Sequence, residues 1–152
     1  MRAKKNSKKI FTILTVVIVL CIALMCFLIV PNKYINLKTL HHGDASKVQI
    51  IEKDSSLYTQ DDIRSCVEIV ESDFEKDWKG CALKELYYAG DEESQSETEY
   101  RNAPTLVLYS TIQTYAFSSQ SSMNAPYVYE EFNWILTRDE NGQWKHIDHG
   151  YG

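Results

Sequence analysis

Apolar and polar positions follow three different rhythms along this chain, and each predicts a different element. From Ile10 to Val30 there is no alternation: IFTILTVVIVLCIALMCFLIV is 21 residues without a charge or a strong turn former. At ~1.5 Å of rise per residue, a helix of that length matches a hydrocarbon core of ~30 Å. Inside lipid the backbone must satisfy its own hydrogen bonds, which makes the run helical. Arg2, Lys4, Lys5, Lys8 and Lys9 precede it with no acidic residue among them, whereas Pro31 follows it, then only Lys33 and Lys38. That asymmetry predicts a cytoplasmic N-terminus and an extracytoplasmic C-terminus. A cleaved signal peptide has a core of only ~7–15 residues and small residues after it. This run ends in Phe27-Leu28-Ile29-Val30, and neither Cys21 nor Cys26 follows the small residues a lipoprotein signal needs. The expectation is an uncleaved single-pass signal-anchor in the cell membrane: 1–9 a cytoplasmic basic tail, 10–30 a transmembrane helix, 31–58 an extracytoplasmic tether and 59–152 a folded domain.

The second rhythm has the helical period. Ile63, Cys66, Val67, Val70, Phe74 and Trp78 recur at spacings of three and four, while Arg64, Glu68, Glu71, Ser72, Glu75 and Lys79 fall on the other side. Thr59 is placed to cap this helix, Asp61 and Asp62 suit its first turn, and Gly80 suits its end. The third rhythm is that of strands. Cys81–Ala89 is strand-like, and Thr105–Tyr115 carries apolar weight on both faces. Tyr129–Arg138 sets Phe132, Trp134 and Leu136 together. Asn141-Gly142 then marks a hairpin into a final strand, Gln143–His149. Lys47–Glu52 reads as a short strand inside the tether. Asp91–Glu99, five acids in nine residues, reads as a solvated loop, since it lacks the ligand alternation and central glycine of a calcium loop. Phe117–Pro126 reads as a Ser-rich loop.

One helix followed by about four antiparallel strands is an α+β arrangement. The expected architecture is one amphipathic helix packed on a curved, mostly four-stranded antiparallel sheet, NTF2-like or cystatin-like.

Charge narrows the partners. All 21 acidic residues lie beyond Val30 with 11 of the 16 basic ones, a net of −10 for that part. No nucleic acid is expected as partner, because binding it rewards a basic face. Cys66 and Cys81 are expected as two buried free thiols, since a helix running on to about Trp78 separates them beyond the reach of a disulfide.

The segment Tyr58–Gly152 resembles a family of uncharacterised exported domains of Gram-positive gut bacteria. The residues that carry the resemblance are Phe74, Gly80-Cys81-x-Leu83, Trp134-x-Leu136-x-Arg138, Gly142-x-Trp144 and His149-Gly150-Tyr151. The resemblance implies an NTF2-like fold and an extracytoplasmic location, with no assigned function.

Candidate chemistry is sparse. His146 and Asp148 share a strand face and form the one candidate acid–base pair; His149, in a regular strand, points the other way. Nothing supplies a nucleophile or an oxyanion donor, and the simpler role for His146 is a half-buried strand residue beside Trp144. His41-His42 lacks a third ligand nearby, so no metal is expected, and no cofactor motif is present. Trp78, Trp134 and Trp144 are expected in the core. Tyr87, Tyr88, Tyr109, Tyr115, Tyr127 and Tyr129 either cap that core or line a sheet face open to a small ligand or peptide. The leading expectation is a non-catalytic, membrane-tethered domain binding a ligand or partner. A cavity enzyme using His146 and Asp148, or an accessory subunit of another membrane protein, is the alternative.

Overall fold

The computed structural model describes residues 12–26 and 34–151. The chain forms two compact units, Met1–Ile35 and Asn36–Gly152. In the first, helix α1 covers 12–26. Among the described residues no helix is long and apolar enough to cross a membrane. The single-pass reading of Ile10–Val30 is corrected accordingly, and with it the signal-anchor, the cell-membrane localisation and the extracytoplasmic placement of the C-terminal domain. Positions 10–11 and 27–30 of that run, and the basic tail 1–9, lie outside the described residues.

The second unit is α+β, and its sheet corrects the expected architecture. Five strands lie in the order β1 (Gln49–Ile51), β2 (Cys81–Tyr88), β3 (Thr105–Thr114), β4 (Tyr127–Arg138) and β5 (Trp144–Gly150). β1 runs parallel to β2, and the remaining neighbours are antiparallel. The sheet is therefore mixed and five-stranded, and it is neither closed nor strongly curled as the NTF2-like or cystatin-like expectation required. The residues read as a tether supply part of the difference. From Asn36 onward they belong to the compact unit, through a 3-10 turn at Leu37–Thr39, buried Thr39 and Ala45, and β1 itself.

Helix α2 (Gln60–Asp77) is the crossover between β1 and β2. Thr59 and Asp62 form a reciprocal capping box at its start. Its stripe of Ile63, Cys66, Val67, Val70 and Phe74 is buried against Leu86, Leu106, Leu108, Trp134 and Leu136 on one sheet face. Cys66 and Cys81 are both free and buried, and burial pushes both thiols up.

Helix α3 (Asp91–Arg101) stands where a solvated loop was expected. Its sequence has almost no apolar stripe, so periodicity carries no signal. What stabilises it is electrostatic and local. Asp91, Glu92 and Glu93 occupy the first turn and Arg101 the last, matching the helix dipole. Arg101 also pairs with Glu97 at 2.7 Å, and Gln95 with Glu99 at 3.1 Å, each one turn apart. Asn102 ends the helix in the left-handed conformation. Tertiary contacts dock it: the buried Ser94 Oγ accepts the Val107 N–H at 3.1 Å, and Thr98 Oγ1 accepts that of Thr105 at 2.9 Å. Arg101 reaches Asp148 of β5 at 3.2 Å, on the sheet face opposite α2.

Candidate functional site

A cluster of polar side chains lies on β5, where it passes the C-terminal half of α2. In β4, Trp134 and Leu136 are two residues apart; their partners on β5 are His149 and His146, three apart. A β-bulge thus inserts one extra residue, and it turns both histidines toward the same face. Asp148, paired with Ile135, points the other way toward Arg101. The expected arrangement is rearranged as a result. His149 joins His146, while the Asp148 carboxylate leaves it and only its carbonyl stays near, 3.1 Å from His146 Nε2.

The carboxylate that meets His146 comes from α2: Asp73 Oδ2 lies 2.9 Å from His146 Nδ1. An ionised carboxylate only accepts, so Nδ1 carries the hydrogen. On the other side of the ring, His149 Nδ1 is 3.2 Å from His146 Nε2. With His146 neutral, His149 Nδ1–H donates to that nitrogen. With His146 protonated, Nε2–H donates to the Asp148 carbonyl instead. Asp73, His146 and His149 therefore form a hydrogen-bonded chain. Both rings also lie against Trp134, with centroids at 5.2 and 5.4 Å, and His149 meets the edge of Trp78 at 5.3 Å.

Beside His149 opens a pocket of about 380 Å³, lined by Trp78, Met123, Tyr129, Phe132 and Tyr151 together with Gln120 and Ser122. None of its lining residues is an acid, a lysine or an arginine. That volume is within the range of small-molecule sites, ~300–1,000 Å³. The Ser-rich segment that supplies Gln120, Ser122 and Met123 is fastened from both ends. Ser119 N–H donates to Lys79 O at 2.8 Å, Thr114 Oγ1 donates to Asn124 O at 2.7 Å, and the Asn124 N–H donates to the Tyr129 hydroxyl at 2.6 Å.

Burial and the neighbouring His146 hold His149 below the ordinary histidine range, against a smaller upward pull from Asp148 and Asp73. It is uncharged at neutral pH. The unfolded chain, by contrast, takes up a proton there near pH 6.5. The folded state resists a proton that the unfolded state accepts, so this group's contribution to stability is complete above that pH and is lost as pH falls below it. Urea midpoints measured from pH 7.5 down to 5 are expected to decline, and His149→Gln is expected to flatten the decline. An equal decline in the variant would place the responsible group elsewhere. Asp44, Asp62 and Asp139, whose carboxyls are held low by their partners, act in a separate window below about pH 4.

Of the residues singled out from the sequence, Trp78 and Trp134 are buried in the core, and Trp144 lies partly buried against it. Tyr129 lines the pocket, whereas Tyr87 and Tyr109 pair edge to face with centroids 6.1 Å apart. His42 turns to its neighbour's carbonyl, Nδ1 to Gly43 O at 2.7 Å. Among the described residues no group of three or more His, Cys, Asp or Glu is arranged to hold a metal ion. Asp73, Met123 and Tyr151 were not anticipated. Asp73 had one legible sign, a carboxylate immediately beside Phe74 on the apolar stripe, but its partner depends on the bulge. No family model matches the chain, and no curated protein or solved structure matches it either.

Proposed function

We propose that the domain binds an uncharged, planar small molecule in the pocket beside Trp78, Tyr129 and Phe132, with His149 as its polar contact. The observation that carries this reading is His149 itself: a neutral imidazole, oriented by His146 and Asp73, in the wall of a largely aromatic cavity that has no charged side chain. A fixed hydrogen-bonding group among apolar walls is the usual composition of a small-molecule site. A charged ligand would find no counter-charge there, and burying one unpaired is costly.

Phenol and indole, each planar with one hydrogen-bonding group, are suitable probes. Titrated into the full-length protein, they are expected to shift the amide resonances of Trp78, Tyr129 and His149 with a single dissociation constant. His149→Phe keeps a ring against Trp78 and Trp134 but removes the polar contact. It is expected to weaken the phenol dissociation constant about tenfold, the ~1.4 kcal/mol of one hydrogen bond. Shifts that map to α2 and β1 instead, or an unchanged affinity in His149→Phe, would overturn the reading.

A further inference from the structure

The sheet has two edges, and they differ. β5 is held by α2 and α3 through the His146–Asp73 and Asp148–Arg101 contacts. β1 is only three residues long, and among the described residues no strand pairs with its outer side. Ile50 of β1 pairs with the buried Leu86, so its side chain lies on the α2 face, yet it is 42% exposed. Between β1 and α2 runs a groove of about 660 Å³ floored by Ile50, Ile63, Val67 and Tyr88. A second hollow of about 560 Å³, by Ala45 and Val48, continues it and shares Glu68 and Glu71 with it. The floor is apolar and one wall is a row of glutamates, Glu68, Glu71 and Glu75, spaced to share one side of α2. Glu52 and Asp54 also line the groove.

No cation among the described residues forms an ion pair with Glu68, Glu71 or Glu75. Arg64, the one cation in the groove lining, is paired with Asp61. Burial and its two glutamate neighbours push the Glu71 carboxyl up, so the row lacks counter-charge.

We propose that this groove is a docking site for an extended basic peptide, which adds to the outer edge of β1 and sets lysine or arginine side chains against Glu68, Glu71 and Glu75. Strand addition supplies main-chain hydrogen bonds to an unpaired edge, and side chains pointing alternately down and up select the sequence. On the α2 face of the added strand the lysine or arginine side chains lay their aliphatic stems over Ile50, Ile63 and Val67 and set their charges against the glutamates, while the alternate residues point to the opposite sheet face. A second copy of this chain suits the site less well, because joining two β1 edges would bring two acidic rows together. A Pro-rich peptide would lack the N–H groups needed for strand addition.

The test uses the full-length protein and the peptide Ac-KVKVKVK-NH2, with Ac-EVEVEVE-NH2 as control, read by fluorescence anisotropy and by hydrogen exchange. The lysine peptide is expected to bind, to lose affinity as salt shortens the Debye length from ~10 Å to ~3 Å, and to slow exchange at Gln49–Ile51. The double variant Glu68→Lys/Glu71→Lys is expected to weaken it at least tenfold. Ile50→Lys, a change at an exposed position that puts a cation in the groove, is expected to do the same should the double variant fail to fold. Equal binding of the acidic peptide, protection at Trp144–Gly150 in place of β1, or indifference to both variants would overturn the proposal. So would a dimer, seen by sedimentation, that excludes the peptide from β1.

Discussion

Replacing Trp134 by alanine is expected to lower the free energy of unfolding by about 3–5 kcal/mol. Trp134 is fully buried, and its ring lies within 5.1–6.2 Å, centroid to centroid, of Trp78, Phe132 and Phe74. Alanine removes that volume from a position where helix α2 and both histidines of β5 converge, and a close-packed interior refills it only in part. A polar loss adds to the cavity. The indole Nε1–H donates to Ser110 Oγ at 2.8 Å, and Ser110, itself fully buried, donates in turn to Phe132 O at 3.2 Å. Trp134→Phe separates the two contributions. It keeps most of the aromatic volume and should cost much less, with the lost hydrogen bond near ~1 kcal/mol. Urea unfolding is the measurement, with the midpoint falling and the slope unchanged. A small domain has only ~5–15 kcal/mol in total, so the alanine variant should sit close to unfolding at 37 °C. A loss below ~1 kcal/mol would contradict this packing.

Gly80→Ala is expected to cost about 2–5 kcal/mol, from two independent sources. Gly80 has φ +74°, a conformation that costs an L-residue ~1–2 kcal/mol. A Cβ there would also lie 2.4 Å from Phe117 O and 2.5 Å from the Ser118 backbone, and overpacking of this kind costs ~1–3 kcal/mol. The clash is with main chain, which has no rotamer through which to escape. Gly80 also ties three segments together: its N–H donates to Thr39 O at 2.7 Å, and its carbonyl accepts the Tyr115 N–H at 2.8 Å. Gly142→Ala provides the comparison, because Gly142 has a similar φ of +79° with no atom within 4 Å of the added carbon. That variant should show the conformational cost alone. Equal losses in the two would remove the steric half of the argument.

The legible parts of this fold are those where a single element carries its own signal. Helix α2 was readable because its apolar stripe, Thr59 as its cap, and Gly80 just beyond its end all bracket the observed Gln60–Asp77. The strands β2 to β5 were readable from alternation and from the Asn141-Gly142 turn. Helix α3 was not, because its stability comes from terminal charges, one-turn ion pairs and docking on β3 rather than from a stripe. The run Ile10–Val30 misled in the opposite direction. Its composition suggested a span, whereas among the described residues no helix is long and apolar enough to cross a membrane. The candidate site was half legible: His146 and His149 stood out, but their common face did not, because one inserted residue reverses every side chain beyond it.

What the sequence by itself determined is the α+β class, the face of α2 that is buried, the acidity of the C-terminal part and the set of aromatic residues available for a core. Those follow from period, charge and composition, which are properties of neighbours along the chain. The tertiary structure alone decided that β1 joins the sheet in parallel, that β5 bulges between His146 and His149, and that Asp73 rather than Asp148 holds His146. Each of these depends on the register between segments distant in sequence. Register is set by how the whole core packs, and no local pattern encodes it.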